Sequence, residues 1–186
     1  MIQPIYLYGS DVLREVAQPV SLDDREGIAQ LVADLKETLE QAEGCGLAAP
    51  QIGVSSRVVI VDGDEMKDVY PYLKGFRRTL INPVVTSESS EECEFDEGCL
   101  SVPGIYCSVR RPASVTVEYY DESLTKVTET FEKFACRMVQ HELSHLDGVL
   151  FTDLVAPIRR KMISGRMQNI AKGRVPVAYK AKIKRQ

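Results

Sequence analysis

The stretch QHELSHLDG, residues 140–148, holds both histidines of a 186-residue chain. On a helix, positions i and i+4 lie one turn apart on the same face. His141 and His145 would then chelate one cation, with Glu142 beside them and not forced to ligate. This H-E-x-x-H spacing supplies two metal ligands and a carboxylate able to take a proton from water that the metal has acidified. The five-residue pattern also arises by chance, but concentrating the only two histidines in it favours a metal site.

Two imidazoles do not complete a catalytic site, which needs a third protein ligand and one position open to water. Residues 148–186 contain neither histidine nor glutamate. Asp147 sits too close on the chain to close the triangle easily, and Asp153 is a candidate. Otherwise the ligand comes from upstream, where a cysteine thiolate suits a soft or borderline metal. The five cysteines are an odd number without disulfide-framework spacing, which predicts free thiols or metal ligands. Cys99 stands out among them. It lies in EGCLSVPG (97–104), where Gly98 permits close backbone approach and Pro103-Gly104 ends the segment. Cys45 lies in a glycine-rich loop, and Cys136, five residues before His141, faces elsewhere. Cys93 and Cys107 have no supporting context. For these four a buried or inert thiol is the expected role. A Cys/His/His set suits Fe(II), Zn(II), Co(II) or Ni(II) alike.

The elements that must position these residues follow from periodicity. Ile28, Leu31, Val32, Leu35, Leu39 and Ala42 recur at helical spacing after Ser21-Leu-Asp-Asp, predicting a helix over about 23–43 that Gly44 and Gly46 end. Arg57–Asp62 reads as a buried strand. Residues 64–77 read as a polar loop, and Thr79–Val85 as a strand in which Pro83 implies an edge or a bulge. The acidic run SESSEECEFDE (87–97) reads as a loop with some extended structure. Val115–Tyr120 and Lys126–Phe131 alternate in period two around a hairpin turn. A helix over 132–146 carries the histidines and stops at Gly148. A second C-terminal helix spans 157–171, with Pro157 at its start. The fold class is α+β, with mixed or antiparallel sheets around a central metal-binding helix and with N-terminal and C-terminal helices. At this length, residues 1–186 are expected to form a single domain.

Three segments together carry a resemblance. GCGLAAPQ (44–51), EGCLS (97–101) and QHELSHLDG (140–148) resemble, in order, the three signature motifs of the peptide deformylase family. The resemblance implies that Cys99, His141 and His145 hold a divalent metal. Fe(II) is the expected ion in the cell, with Zn(II), Ni(II) or Co(II) in purified protein. It implies that Glu142 is the catalytic acid and base, that Gln51 and the backbone N–H of Leu100 form an oxyanion hole, and that Gly46 lies on the substrate edge with Cys45 beside it. The implied reaction is hydrolytic removal of the formyl group from the N-terminal formylmethionine of nascent bacterial or organellar polypeptides. The methionine side chain needs an apolar pocket. Phe134 and Met138 share the helix face of the histidines and are candidates for it, the alternative being plain core. Ile105 and Tyr106 are weaker candidates. Two positions depart from the family pattern. Ser144 stands where an aspartate is usual, which removes an ion pair for which Arg111 is the candidate partner. Cys45 stands where a larger aliphatic residue is common.

Composition adds limits. No stretch approaches a membrane span, and the N-terminus MIQPIYLYGSDVLREV lacks the basic and apolar regions of a signal peptide, so an intracellular location is expected, which the resemblance narrows to the cytoplasm of a bacterium. Residues 159–186, a basic C-terminal helix and tail, carry ten Lys/Arg and no acid, leaving 13 bases and 27 acids before them. The tail either neutralises its own acidic body or contacts phosphate-rich surfaces. A transient ribosome contact is one such expectation, since nascent chains emerge there. Two other readings stay open: a metallopeptidase with Asp153 as third ligand, and a binding protein with a closed structural metal site and a nucleic-acid-binding tail.

Overall fold

A computed structural model describes residues 1–183. The chain runs β1 (Ile5–Tyr6), α1 (Arg25–Ala42), β2 (Gly46–Ala48), β3 (Val58–Asp62), β4 (Arg77–Glu88), β5 (Glu92–Cys99), β6 (Val102–Pro112), β7 (Ser114–Tyr120), β8 (Lys126–Glu132), α2 (Lys133–Leu146), α3 (Pro157–Ala171) and β9 (Ala181–Lys182), with short 3-10 turns between some of them. Strands β2-β3-β4-β7-β8 form an antiparallel sheet, β5 and β6 a separate antiparallel pair, and β1 and β9 a short parallel pair.

Helix α1 starts where the Asp24 side chain accepts from the Gly27 N–H at 3.0 Å, an N-cap bond. Its face Ile28, Val32, Leu35 and Leu39 is buried and packs on β2 and β3. Burying each such side chain stabilises the fold by about 1.5–3 kcal/mol. Glu43, in the left-handed region, closes the helix and aims the chain into β2.

Helix α2 is buried on every side except at Lys133 and Ser144. A helix buried all round is the core of its fold. Here β2, β3, β7 and β8 pack against it. Lys133 has φ +55°, which turns the chain from β8 into the helix without a linker. Gly148, at φ +70°, ends it: a Cβ there would meet the Arg14 carbonyl oxygen at 2.6 Å.

Three regions differ from the sequence reading. The acidic run is half of a long hairpin: Glu92–Cys99 pairs with Val102–Pro112. In β5 the inward residues are Cys93, Phe95, Glu97 and Cys99, and in β6 Val102, Ile105, Cys107, Val109 and Arg111 are buried. Residues 64–77 are not solvated loop alone. Met66, Tyr70 and Phe76 pack against the buried cluster around α2. Finally, the basic segment is not a free tail. After α3 an extended arm carries Val175, Tyr179, Ala181 and Ile183 against the core before β9 pairs with β1. Lys184, Arg185 and Gln186 of that segment lie outside the described residues. Pro83 does sit at a bulge, between Ile81 and Val84 of β4.

Candidate metal centre

His141 and His145 project from one face of α2, their ring centroids 5.1 Å apart. Cys99 reaches them from the end of β5, its Sγ 3.3 Å from His145 Nε2. One donor atom from each of Cys99, His141 and His145 falls within 4.8 Å of the other two, a group able to hold a metal ion. Asp153 is elsewhere. Its carboxylate takes the Leu150 N–H at 2.9 Å and the guanidinium of Arg14, which removes it as third ligand. Asp147 pairs with Arg57 at 2.9 Å on the surface.

The donor set is chemically ready for a cation. His141 Nδ1 lies 2.7 Å from Glu97 Oε1, so Nδ1 carries the proton and Nε2 remains for a metal. Burial alone would push the His141 pKa down, but its hydrogen bonds to Cys99 and Glu97 outweigh that and lift it to about 10. Metal binding at Nε2 requires the neutral ring and therefore releases the Nε2 proton, leaving the Nδ1 proton hydrogen-bonded to Glu97. His145 is held neutral by burial and by the positive charge of His141 and Arg111, its pKa well below the ordinary value.

Glu97 is the hub that the sequence reading did not single out. Its carboxylate accepts Arg111 Nε at 2.8 Å and Nη2 at 2.9 Å, Arg137 Nη1 at 2.7 Å, and the His141 proton. Burial would raise its pKa; these donors outweigh burial and hold it far below the carboxylate range. Arg111 also reaches Ser144, its Nη1 donating to Ser144 Oγ at 2.8 Å. The ion pair that an aspartate could make is absent, as expected, and a hydrogen bond from Arg111 to the serine hydroxyl stands in its place.

Glu142 stands apart from this network. Among the described residues its Oε2 is buried with no hydrogen-bond partner, and burial pushes its pKa up to about 7. A carboxylate poised near neutrality is matched to proton transfer at working pH. Gly46 is pressed against it: a Cβ there would stand 2.9 Å from Glu142 Cδ. Only glycine permits β2 this approach.

Gln51 follows β2 and is buried. Its Oε1 accepts the Ala48 N–H at 2.8 Å, which turns Nε2 toward Ser101 Oγ at 3.1 Å and Cys99 Sγ at 3.5 Å. Leu100, half-buried, lies next to Cys99 on the same rim. The Tyr179 hydroxyl donates to its carbonyl.

A cleft of about 700 Å³ opens over these groups. Phe134, Met138, Cys45, Ile105 and Tyr106 line it, and Tyr106 is 70% exposed at the rim. Phe134 and Met138 line the cleft and also belong to the buried cluster around α2. Tyr70 stacks on Phe134 at 4.5 Å, and Phe95 meets it edge-on at 5.4 Å. Burial and the nearby Glu142 push the Cys45 thiol up to about 12, so it remains protonated and inert. Cys93, Cys107 and Cys136 stand outside the Cys99-His141-His145 group.

A largely buried Cys-His-His group able to hold a metal ion, with a carboxylate oxygen unpaired among the described residues and an apolar cleft above it, has the parts a metal-dependent hydrolase needs. The family model for polypeptide deformylase matches residues 2–161. A peptide deformylase of Flavobacterium psychrophilum is 40% identical over 190 residues, covering 98% of this chain and 97% of that protein. The crystal structure of a peptide deformylase from Legionella pneumophila superposes with a TM-score of 0.81 at 35% identity, covering 95% of this chain and 100% of that one. The peptide deformylase of Thermus thermophilus gives 0.81 at 36% identity, over 93% and 99% of the two chains. The chain belongs to the polypeptide deformylase family. It removes the formyl group from the N-terminal methionine of nascent chains. Among the described residues no helix is long and apolar enough to cross a membrane.

Proposed function

We propose that Cys99, His141 and His145 hold one divalent metal ion, and that Glu142, Gln51 and Leu100 carry out deformylation around it. The observation behind this reading is the convergence of three donor atoms within 4.8 Å, next to a buried carboxylate whose Oε2 has no hydrogen-bond partner among the described residues. A divalent ion bound there would polarise the formyl carbonyl and acidify a water molecule. Fe(II) is the ion we assign in the cell, on the family resemblance; Zn(II), Ni(II) or Co(II) suit the same donors in purified protein.

The remaining chemistry belongs to the chain. β2 is the edge strand of its sheet, so an extended peptide can pair with it at Gly46. The methionine side chain then enters the apolar wall of Cys45, Phe134 and Met138. Glu142 takes the proton of the attacking water and later passes it to the departing amine. Gln51 Nε2 and the Leu100 N–H donate to the formyl oxygen as charge develops on it. One such donor is worth about 3–4 kcal/mol of barrier.

The test is formate release from formyl-Met-Ala-Ser by protein purified without oxygen, with Glu142→Gln beside it. Release by the wild type and not by the metallated variant is expected. Equal release by both would overturn the role of Glu142, and none from a fully metallated wild type would overturn the whole reading.

We read residues 1–186 as one catalytic unit working in the cytoplasm, where nascent chains are made. Exposed Arg159, Arg160, Lys161 and Arg166 on α3 support a transient ribosome contact.

A further inference from the structure

The arm after α3 is tied into the rim of the metal centre. It leaves the helix through Gly173, at φ +69°, and lays Val175, Tyr179, Ala181 and Ile183 against buried side chains. Its end is fixed by the β1 strand, where Ile5 N–H donates to the Lys180 carbonyl at 2.8 Å and Leu7 N–H to the Lys182 carbonyl at 2.9 Å. The next residue, Tyr8, donates its N–H to the Ser101 carbonyl at 2.7 Å. Arm, first strand and metal-centre loop are thus one hydrogen-bonded unit.

Within that unit the Tyr179 hydroxyl donates to the carbonyl of Leu100. Gln51 Nε2 holds the Ser101 hydroxyl from the other side at 3.1 Å. Leu100 and Ser101 form the turn between Cys99 and Val102, which pair with each other just after a register shift at Glu97/Cys99, and neither turn residue pairs in the sheet. The two carbonyls after Cys99 are fixed instead by Tyr179 and by the Tyr8 N–H. Both bonds come from parts of the chain remote from the three motifs.

We infer that Tyr179 is a positioning residue for deformylation: by holding the Leu100 carbonyl, its hydroxyl sets the tilt of the loop that aims the Leu100 N–H at the formyl oxygen. The inference rests on the role given to Leu100 above. It also makes the C-terminal arm part of the active site. An oxyanion donor acts through its alignment, and small displacements carry large rate penalties.

The experiment compares metallated full-length wild type with Tyr179→Phe, which keeps the ring and deletes only the hydroxyl. Formate release gives kcat and KM, and amide hydrogen exchange is followed at Leu100 and Ser101. The expected result is a roughly tenfold loss of kcat with KM within about twofold, faster exchange at both amides, and unchanged metal content and Tm. Faster exchange with unchanged kcat would overturn the inference together with the donor role of Leu100. Unchanged exchange and unchanged kcat would overturn the inference and leave that donor role intact. A loss of kcat matched by lost metal or a lowered Tm would reduce Tyr179 to a structural contact.

Discussion

Replacing Glu97 with glutamine would leave two buried guanidiniums facing a neutral amide. The side chains of Glu97, Arg137 and Arg111 are 3%, 2% and 7% exposed, so water cannot take over the missing charge. Removing one partner of a buried ion cluster costs about 3–5 kcal/mol. Thermal unfolding entropy is about 2.1 cal/mol/K per residue, or roughly 0.4 kcal/mol/K for a chain of this length, so Tm should fall by about 8–13 °C. The same change weakens the acceptor that holds the proton on His141 Nδ1, and losing such a partner lowers metal affinity about 10–100-fold. Calorimetry of the apo protein reads the first effect, and competition with a chromogenic chelator reads the second. Glu92→Gln is the control. Its Arg110 pair is 3.4 Å long between well-exposed side chains, and its Tm should stay within about 1 °C of wild type. If Glu97→Gln also stays within about 2 °C and keeps its metal, the hub is not what holds the site together.

Gly46→Ala should cut kcat/KM by about a hundredfold or more with metal content unchanged, because the new Cβ would press on Glu142 and not on a ligand; steady-state formate release with metal analysis checks it. Ser144→Asp supplies Arg111 with a carboxylate, and a rise in Tm of about 2–4 °C at pH 7 is expected by calorimetry. Glu129 is held below its ordinary pKa: burial raises it, but Arg78 and the Tyr119 hydroxyl outweigh burial. Its stabilisation is therefore present above the ordinary value of 4.5 and lost as pH falls through the lowered one, so the Tm gap between wild type and Glu129→Gln should narrow below about pH 4.5. Reversing Arg159, Lys161 and Arg166 to glutamate should weaken sedimentation with ribosomes at low salt while formate release stays intact. Deleting residues 173–186 is the wrong test of that contact, since it also removes Tyr179.

The histidine pair of the candidate metal centre was legible because a four-residue spacing on a helix is a local property, and α2 has no competing reading. Cys99 could be chosen among five cysteines only through the glycine beside it and the motif around it. Glu97 was not singled out, because in SESSEECEFDE one buried carboxylate looks like its solvated neighbours. The usable signal was period two: Cys93, Phe95, Glu97 and Cys99 alternate with outward Glu92, Glu94 and Asp96. Strand β6 was missed because Pro103-Gly104 reads as a stop. IYCSVRR alternates as cleanly as β7, but its last inward residue is Arg111. The arm was hidden in the same way. Its charge suggested a solvated tail, while Val175, Val177, Tyr179, Ala181 and Ile183 repeat at every second position.

These misses share a physical origin. Charged residues at inward positions look like errors in a hydrophobic pattern, and they are where the chemistry is supported. A buried ion cluster is a poor stabiliser, since apolar side chains of similar volume often do as well or better. What Glu97 does that an apolar residue cannot do is accept the Nδ1 proton of His141, and that fixes which nitrogen faces the metal position. Arg111 and Arg137 then hold the carboxylate where that single bond needs it. Gln51 is aimed in the same way by the Ala48 N–H, and the Leu100 loop by Tyr179 and Tyr8. Helix α2 carries both histidines, yet His141, Gln51 and the Leu100 loop are each aimed by a partner from another element. A sequence displays the histidine pair by spacing, but such partners become visible only once the strands have brought them together.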